Sequence, residues 1–238
     1  MIGLHALEST GISSEEIQEL RRTYQSLRPR VRGETYMFEG SIKLDRIWEG
    51  LRIQDEFKIQ IEIPKAYPRS PPLVRLTDDR AERIMRRWNL ANSSGFHLNR
   101  NGTACLCAQL EIRQQFPEGI SILPFIRDFI EHWLFGVSFF ESNGRWPWKE
   151  RSHGAVGILE SFAEQKELPD PAQALGDLRR SGASVSRLLN VGVGISGSSA
   201  CICGSGRKFG RCHPEALSGL RRLKNALAEG KVGQGGDN

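Results

Sequence analysis

The chain has 238 residues, 39% of them apolar and 26% charged, values of globular domains that exclude a disordered polar chain. Net charge is +5 with no run of five or more Lys and Arg, so the mild basicity reads as solvated surface and argues against a nucleic-acid partner. No stretch approaches the ~18 uninterrupted apolar residues of a membrane span, and MIGLHALESTGISSEE lacks the basic, apolar and small-residue succession of a secretory signal, so a cytoplasmic protein is expected.

In chain order, residues 13–28 read as a helix. Ser13 and Glu16 have capping-box spacing, Ile17, Leu20, Tyr24 and Leu27 share a face, and Pro29 ends it. Tyr36, Phe38, Ile42 and Leu44, then Phe57, Ile59, Ile61 and Ile63, alternate with polar residues as half-buried antiparallel strands do. A short strand is expected at 73–76, after the rigid Tyr67-Pro68-Arg69-Ser70-Pro71-Pro72 loop. A basic helix over 79–90 and a polar loop over 91–102 follow. A short strand is then expected at 105–111 and a buried helix over 121–135, with Pro124 tolerated in its first turn. Another helix is expected at 154–166. Composition shifts at Leu168-Pro169-Asp170-Pro171, which places a domain boundary near 168 and a linker over 169–200. A compact Cys/His knot at 201–213 precedes an amphipathic helix at 215–228, giving a small second domain over 201–229 and a disordered tail over 230–238. Five cysteines, Cys105, Cys107, Cys201, Cys203 and Cys212, form an odd number in tight clusters. That pattern suits metal binding or catalysis better than a disulfide framework.

Several pieces, taken in order, resemble the ubiquitin-conjugating enzymes over roughly residues 13–166. They are Tyr67-Pro68, Pro71-Pro72-Leu73-Val74, His97-Leu98-Asn99, Gly102-Thr103-Ala104-Cys105-Leu106, Phe116-Pro117 and the helix from Ile122 to Leu134. The run from Trp146 to Gly154 is similar to the end of the prokaryotic branch found in antiphage and conjugation operons. The resemblance implies an α+β fold: an N-terminal helix, a four-stranded antiparallel meander and C-terminal helices. It also implies a thioester carried on Cys105. Two departures stand out. Leu98 replaces the family's proline, and the distance from His97 to Cys105 is shorter than in eukaryotic relatives. Counted from His97 alone, the nucleophile would be Cys107; the flanking Gly102 and Leu106 select Cys105.

A thiolate suits acyl carriage because it attacks at neutral pH and its thioester still reacts with amines. The relatives stabilise the oxyanion with an Asn amide. Asn99 is the candidate here and Asn101 the second, with His97 holding the Asn loop. Cys201-Ile202-Cys203-Gly204-Ser205-Gly206 through Cys212-His213 resembles the SEC-C motif at the end of the bacterial protein-translocation ATPase. That resemblance implies one structural zinc ion held by Cys201, Cys203, Cys212 and His213.

The conjugating-enzyme reading implies partners in trans. One is an adenylating enzyme or a pre-activated protein. The other is the substrate C-terminus of a ubiquitin-like protein or of a nucleotidyltransferase, the synthase that makes a cyclic-oligonucleotide antiphage signal. Three alternatives stay open: a non-catalytic binding scaffold of the same fold, a cysteine hydrolase pairing Cys105 with His97 or His153, and a zinc-dependent nucleic-acid adaptor.

Overall fold

A computed structural model describes residues 11–90, 93–99, 101–106, 109–148, 152–189 and 195–233. Cys107, the first ten residues and the last five lie outside them. The chain divides into two compact units: Met1–Cys107 with Gln115–Lys149, and Ala108–Gln114 with Glu150–Asn238. No described helix is long and apolar enough to cross a membrane.

The first unit is α+β. Helix α1 (Ser14–Thr23) opens on the expected capping box, with both reciprocal hydrogen bonds of Ser13 and Glu16 present. It ends earlier than expected. Tyr24 caps it, and Pro29 lies inside strand β1 (Arg28–Arg32) rather than after a helix. The strand is at the sheet edge, where proline's missing N–H leaves no ladder bond unmade. Strands β1, β2 (Thr35–Trp48), β3 (Leu51–Ile63) and β4 (Leu73–Leu76) form an antiparallel meander in sequence order. Between β2 and β3, Glu49 and Gly50 both have positive φ, +47° and +80°, as a tight primed turn requires. The register sets Phe38 opposite Ile61 and Ile42 opposite Phe57, so one face carries the apolar set.

That face is covered by a long helical segment. It runs through α4 (Ile122–Phe125), a π-helical turn (Ile126–Ile130) and α5 (Glu131–Asn143), and α5 lies against β2 and β3. Phe125, Ile126, Ile130, Leu134, Phe135 and Val137 are fully buried. Gly136 is required by packing: a Cβ there would lie 2.3 Å from the Trp146 ring. Helix α2 (Arg80–Arg87) contributes Arg80, which pairs with Asp55 on β3 and Glu141 on α5 at 2.5 Å each and caps the Phe57 ring. Burial opposes ionisation of Asp55, but the Arg80 guanidinium and Ser138 hydroxyl outweigh it and hold the carboxyl below its usual range.

The second unit is helical. It contains α3 (Gln109–Gln115, whose last residue falls in the first unit), α6 (Gly154–Glu164), α7 (Pro171–Arg180), α8 (Val185–Leu189), α9 (Phe209–Cys212) and α10 (Pro214–Gly233). Leu159, Phe162, Leu178, Phe209, Leu220 and Leu223 form its core. Helices α6 and α10 approach closely at Gly219, where a Cβ would sit 1.9 Å from the Leu159 carbonyl oxygen.

Three expectations differ from this arrangement. The described residues of 105–111 form no strand, and a helix starts at Gln109. Residues 169–200 are not a bare linker. Asp170 caps α7 by accepting from the Ala172 N–H, Pro171 stands in its first turn, and Ala174 and Leu178 pack into the core. The second unit takes in the chain from Glu150 onward as well as Ala108–Gln114, where a boundary near 168 was expected, and part of the expected tail is helical, to Gly233.

Candidate functional site

The Cys105 turn is built on the end of β4. A 3-10 turn (Ser93–Phe96) buries Phe96 against Phe140 and Trp146. His97 then adopts positive φ, +48°, and the chain reverses. Two short arms close on each other: Leu98 bridges Ala104, Asn99 N donates to Thr103 O at 2.8 Å, and Cys105 N donates to His97 O at 2.7 Å. Ala104 N donates to Val74 O at 2.7 Å, tying the turn to β4. Trp146 meets the His97 imidazole edge-on, 4.6 Å between centroids, and donates its indole N–H to Gly95 O.

Within the turn, side chains hold the backbone. Asn99 Nδ2 donates to Thr103 Oγ1 at 3.0 Å and to Ala104 O at 3.3 Å. Thr103 donates through its hydroxyl and its N–H to Asn101 Oδ1. Both hydrogens of the Asn99 amide are thus directed into the turn, although the residue itself is exposed. Thr103, only 1% exposed, is the hub of this relay. Sequence reading overlooked it; its place two residues before the candidate sulfur is the only signal that points to it. Cys105 is half-buried and free, with its sulfur within 4.8 Å of a His97 ring nitrogen. Burial pushes its thiol pKa up, because a thiolate is costly to desolvate.

The metal candidates come together in the second unit. Ala200 bridges Lys208, Cys201 N donates to Arg207 O at 2.8 Å, and Gly204 and Gly206 at φ +81° and +72° turn the chain between them. Helix α9 then returns Cys212 and His213. Ligand atoms of Cys201, Cys203, Cys212 and His213 all lie within 4.8 Å of one another. Cys203 and Cys212 sulfurs are 3.7 Å apart, and Cys201 Sγ is 3.2 Å from His213 Nδ1. Tetrahedral Zn–S bonds of roughly 2.3 Å imply sulfur–sulfur edges of roughly 3.8 Å, so the donor set is consistent with a zinc ion. The Ser205 hydroxyl, 3.1 Å from Cys203 Sγ and 3.3 Å from Cys212 Sγ, lowers the Cys203 pKa, while burial raises that of Cys201. The knot has no core of its own but borrows one: Cys201 and Phe209 belong to the core of the second unit.

Residues 198–213 match the SEC-C motif, a zinc-binding motif. No curated protein and no solved structure matches the chain.

Proposed function

We propose that the first unit is a ubiquitin-conjugating-type acyl carrier with Cys105 as its nucleophile. The observation that carries this reading is Cys105 itself: a half-buried sulfur at the end of a closed His97–Cys105 turn, tied by its backbone to β4 of a four-stranded meander that a long helical segment covers. The Cys105 thiolate attacks the activated C-terminal carbonyl of a partner protein, expelling AMP or a carrier thiol and forming a thioester. An amine then attacks that carbonyl, the thiolate leaves, and an amide remains. An adenylating enzyme or a pre-activated protein loads the sulfur. The carried C-terminus belongs to a ubiquitin-like protein or, in an antiphage setting, to a cyclic-oligonucleotide synthase.

Oxyanion stabilisation falls to Asn99 or Asn101. As the turn stands, Asn99 spends its amide on Thr103 and Ala104, so its use on a reacting carbonyl requires exchanging one of those bonds. The second unit supplies a SEC-C module with one structural zinc ion, a docking element rather than a reaction centre.

Non-reducing gels of the chain with the products of neighbouring genes test the reading. A heavier band that reductant removes, lost in Cys105→Ala and kept in Cys107→Ala, is expected. Loss only in Cys107→Ala moves the nucleophile. No band with any partner leaves a binding scaffold. The nearness of His97 to the sulfur favours one second reading, a cysteine hydrolase using that imidazole as base. It predicts steady turnover of a thioester or isopeptide substrate that His97→Ala abolishes.

A further inference from the structure

Helix α5 stops at Gly144, whose positive φ of +68° turns the chain back. The returning segment lays Trp146 and Trp148 over Gly136, where a Cβ would come within 2.5 Å of both rings. Trp146 is 4% exposed, so packing fixes its place. From there one indole reaches three consecutive residues of the turn that leads to Cys105. Its N–H donates to Gly95 O at 3.3 Å, its ring packs against Phe96 with centroids 5.9 Å apart, and it meets the His97 imidazole at 4.6 Å. His97 requires such a hold. A φ of +48° is uncommon in a residue with a Cβ and persists only where the neighbours enforce it. The His97 carbonyl oxygen accepts the Cys105 N–H at 2.7 Å, and a His97 ring nitrogen lies within 4.8 Å of the sulfur. All of these residues belong to the first unit.

We propose that Trp146 is a positioning residue for Cys105: its indole clamps Gly95, Phe96 and His97, and His97 in turn holds the backbone that presents the sulfur. Gly136 serves the same end by leaving the slot into which the indole fits. The clamp limits how far the turn can open toward solvent, so loosening it raises the reactivity of the thiol toward a small electrophile. The part it plays in acyl transfer rests on the proposed function. Its readout does not, because alkylation reports the thiol whether or not it ever carries an acyl group. A wild-type chain that forms no thioester would sink that function and leave the clamp standing.

The test follows iodoacetamide labelling of the full chain against pH, with Cys105 and Cys107 resolved by fragment ions and folding checked by circular dichroism. In Trp146→Leu, Cys105 is expected to label about tenfold faster near pH 8, the scale of a lost aromatic contact and its hydrogen bond. The labelling midpoint should fall toward the ordinary thiol value, because an opened turn relieves the burial that raises it. Trp146→Phe keeps a ring against His97 without the N–H and should lie between, about threefold faster than wild type, the scale of one hydrogen bond. Ile17→Val lowers stability in the same unit from a buried position on α1, and should leave both rate and midpoint unchanged. A wild-type rate and midpoint in folded Trp146→Leu, or an equal change in Ile17→Val, overturn the proposal. If Trp146→Leu does not fold, Trp146→Phe decides on the same terms.

Discussion

At residue scale, the Cys105 turn depends on a short relay of amides and one hydroxyl. Thr103→Val keeps the shape but leaves the Asn99 and Asn101 amides without their shared partner. Losing that buried hydroxyl should cost about 1–3 kcal/mol in unfolding free energy, measured by urea denaturation. The Asp55 carboxylate gives a pH signature. Its pKa is depressed in the folded chain, so its contribution is present above the unfolded carboxylate value of ~3.9 and is lost as pH falls through the lower folded value. Asp55→Asn should therefore lower stability at pH 7 and flatten its fall below about pH 4 in acid titrations followed by circular dichroism. The resemblance to the conjugating-enzyme motifs marked His97, Asn99 and Cys105 as members of one site, although the His97 spacing alone would have chosen Cys107. The sequence held no sign of the bonds that occupy the Asn99 amide, because those depend on how tightly the turn closes.

At the scale of elements, legibility followed periodicity. The alternation of Phe57, Ile59, Ile61 and Ile63 announced β3, and the Ser13–Glu16 spacing announced α1. Where two signals competed, the local one misled. Pro29 looked like a helix stop and proved to be an edge-strand residue. Asp170-Pro171 looked like linker composition, although an Asp before a Pro is also a helix start. Asp170→Ala should accordingly lower the stability of the second unit by about 1 kcal/mol in thermal unfolding. Helix-to-helix contacts carry more. Gly219→Ala places a methyl against the Leu159 carbonyl, and a rigid backbone atom cannot yield as a side chain can. A loss of about 1–3 kcal/mol is expected in the same assay.

Across the whole molecule, a SEC-C knot and an α+β unit were both readable from sequence, but the division between them was not. A stretch of seven residues, Ala108–Gln114, leaves the first unit to pack with the second. Such a crossing leaves no trace in composition, since a buried Ile112 and a paired Arg113 look the same whichever core they join. The metal knot also draws on a helical core. Zinc removal should therefore lower the melting temperature of the second unit without unfolding it outright, as two-wavelength melts with and without chelator would show.

In the proposed reaction the sulfur at 105 accepts an acyl group. Cys105→Ser replaces a labile thioester with an ester that survives reductant, so the trapped species can be mapped by intact mass and peptide sequencing. The expected species has an added mass equal to the partner protein less one water, joined through its C-terminal carboxyl to residue 105. A partner linked at any other residue, or a wild-type adduct that persists in Cys105→Ala, would contradict it.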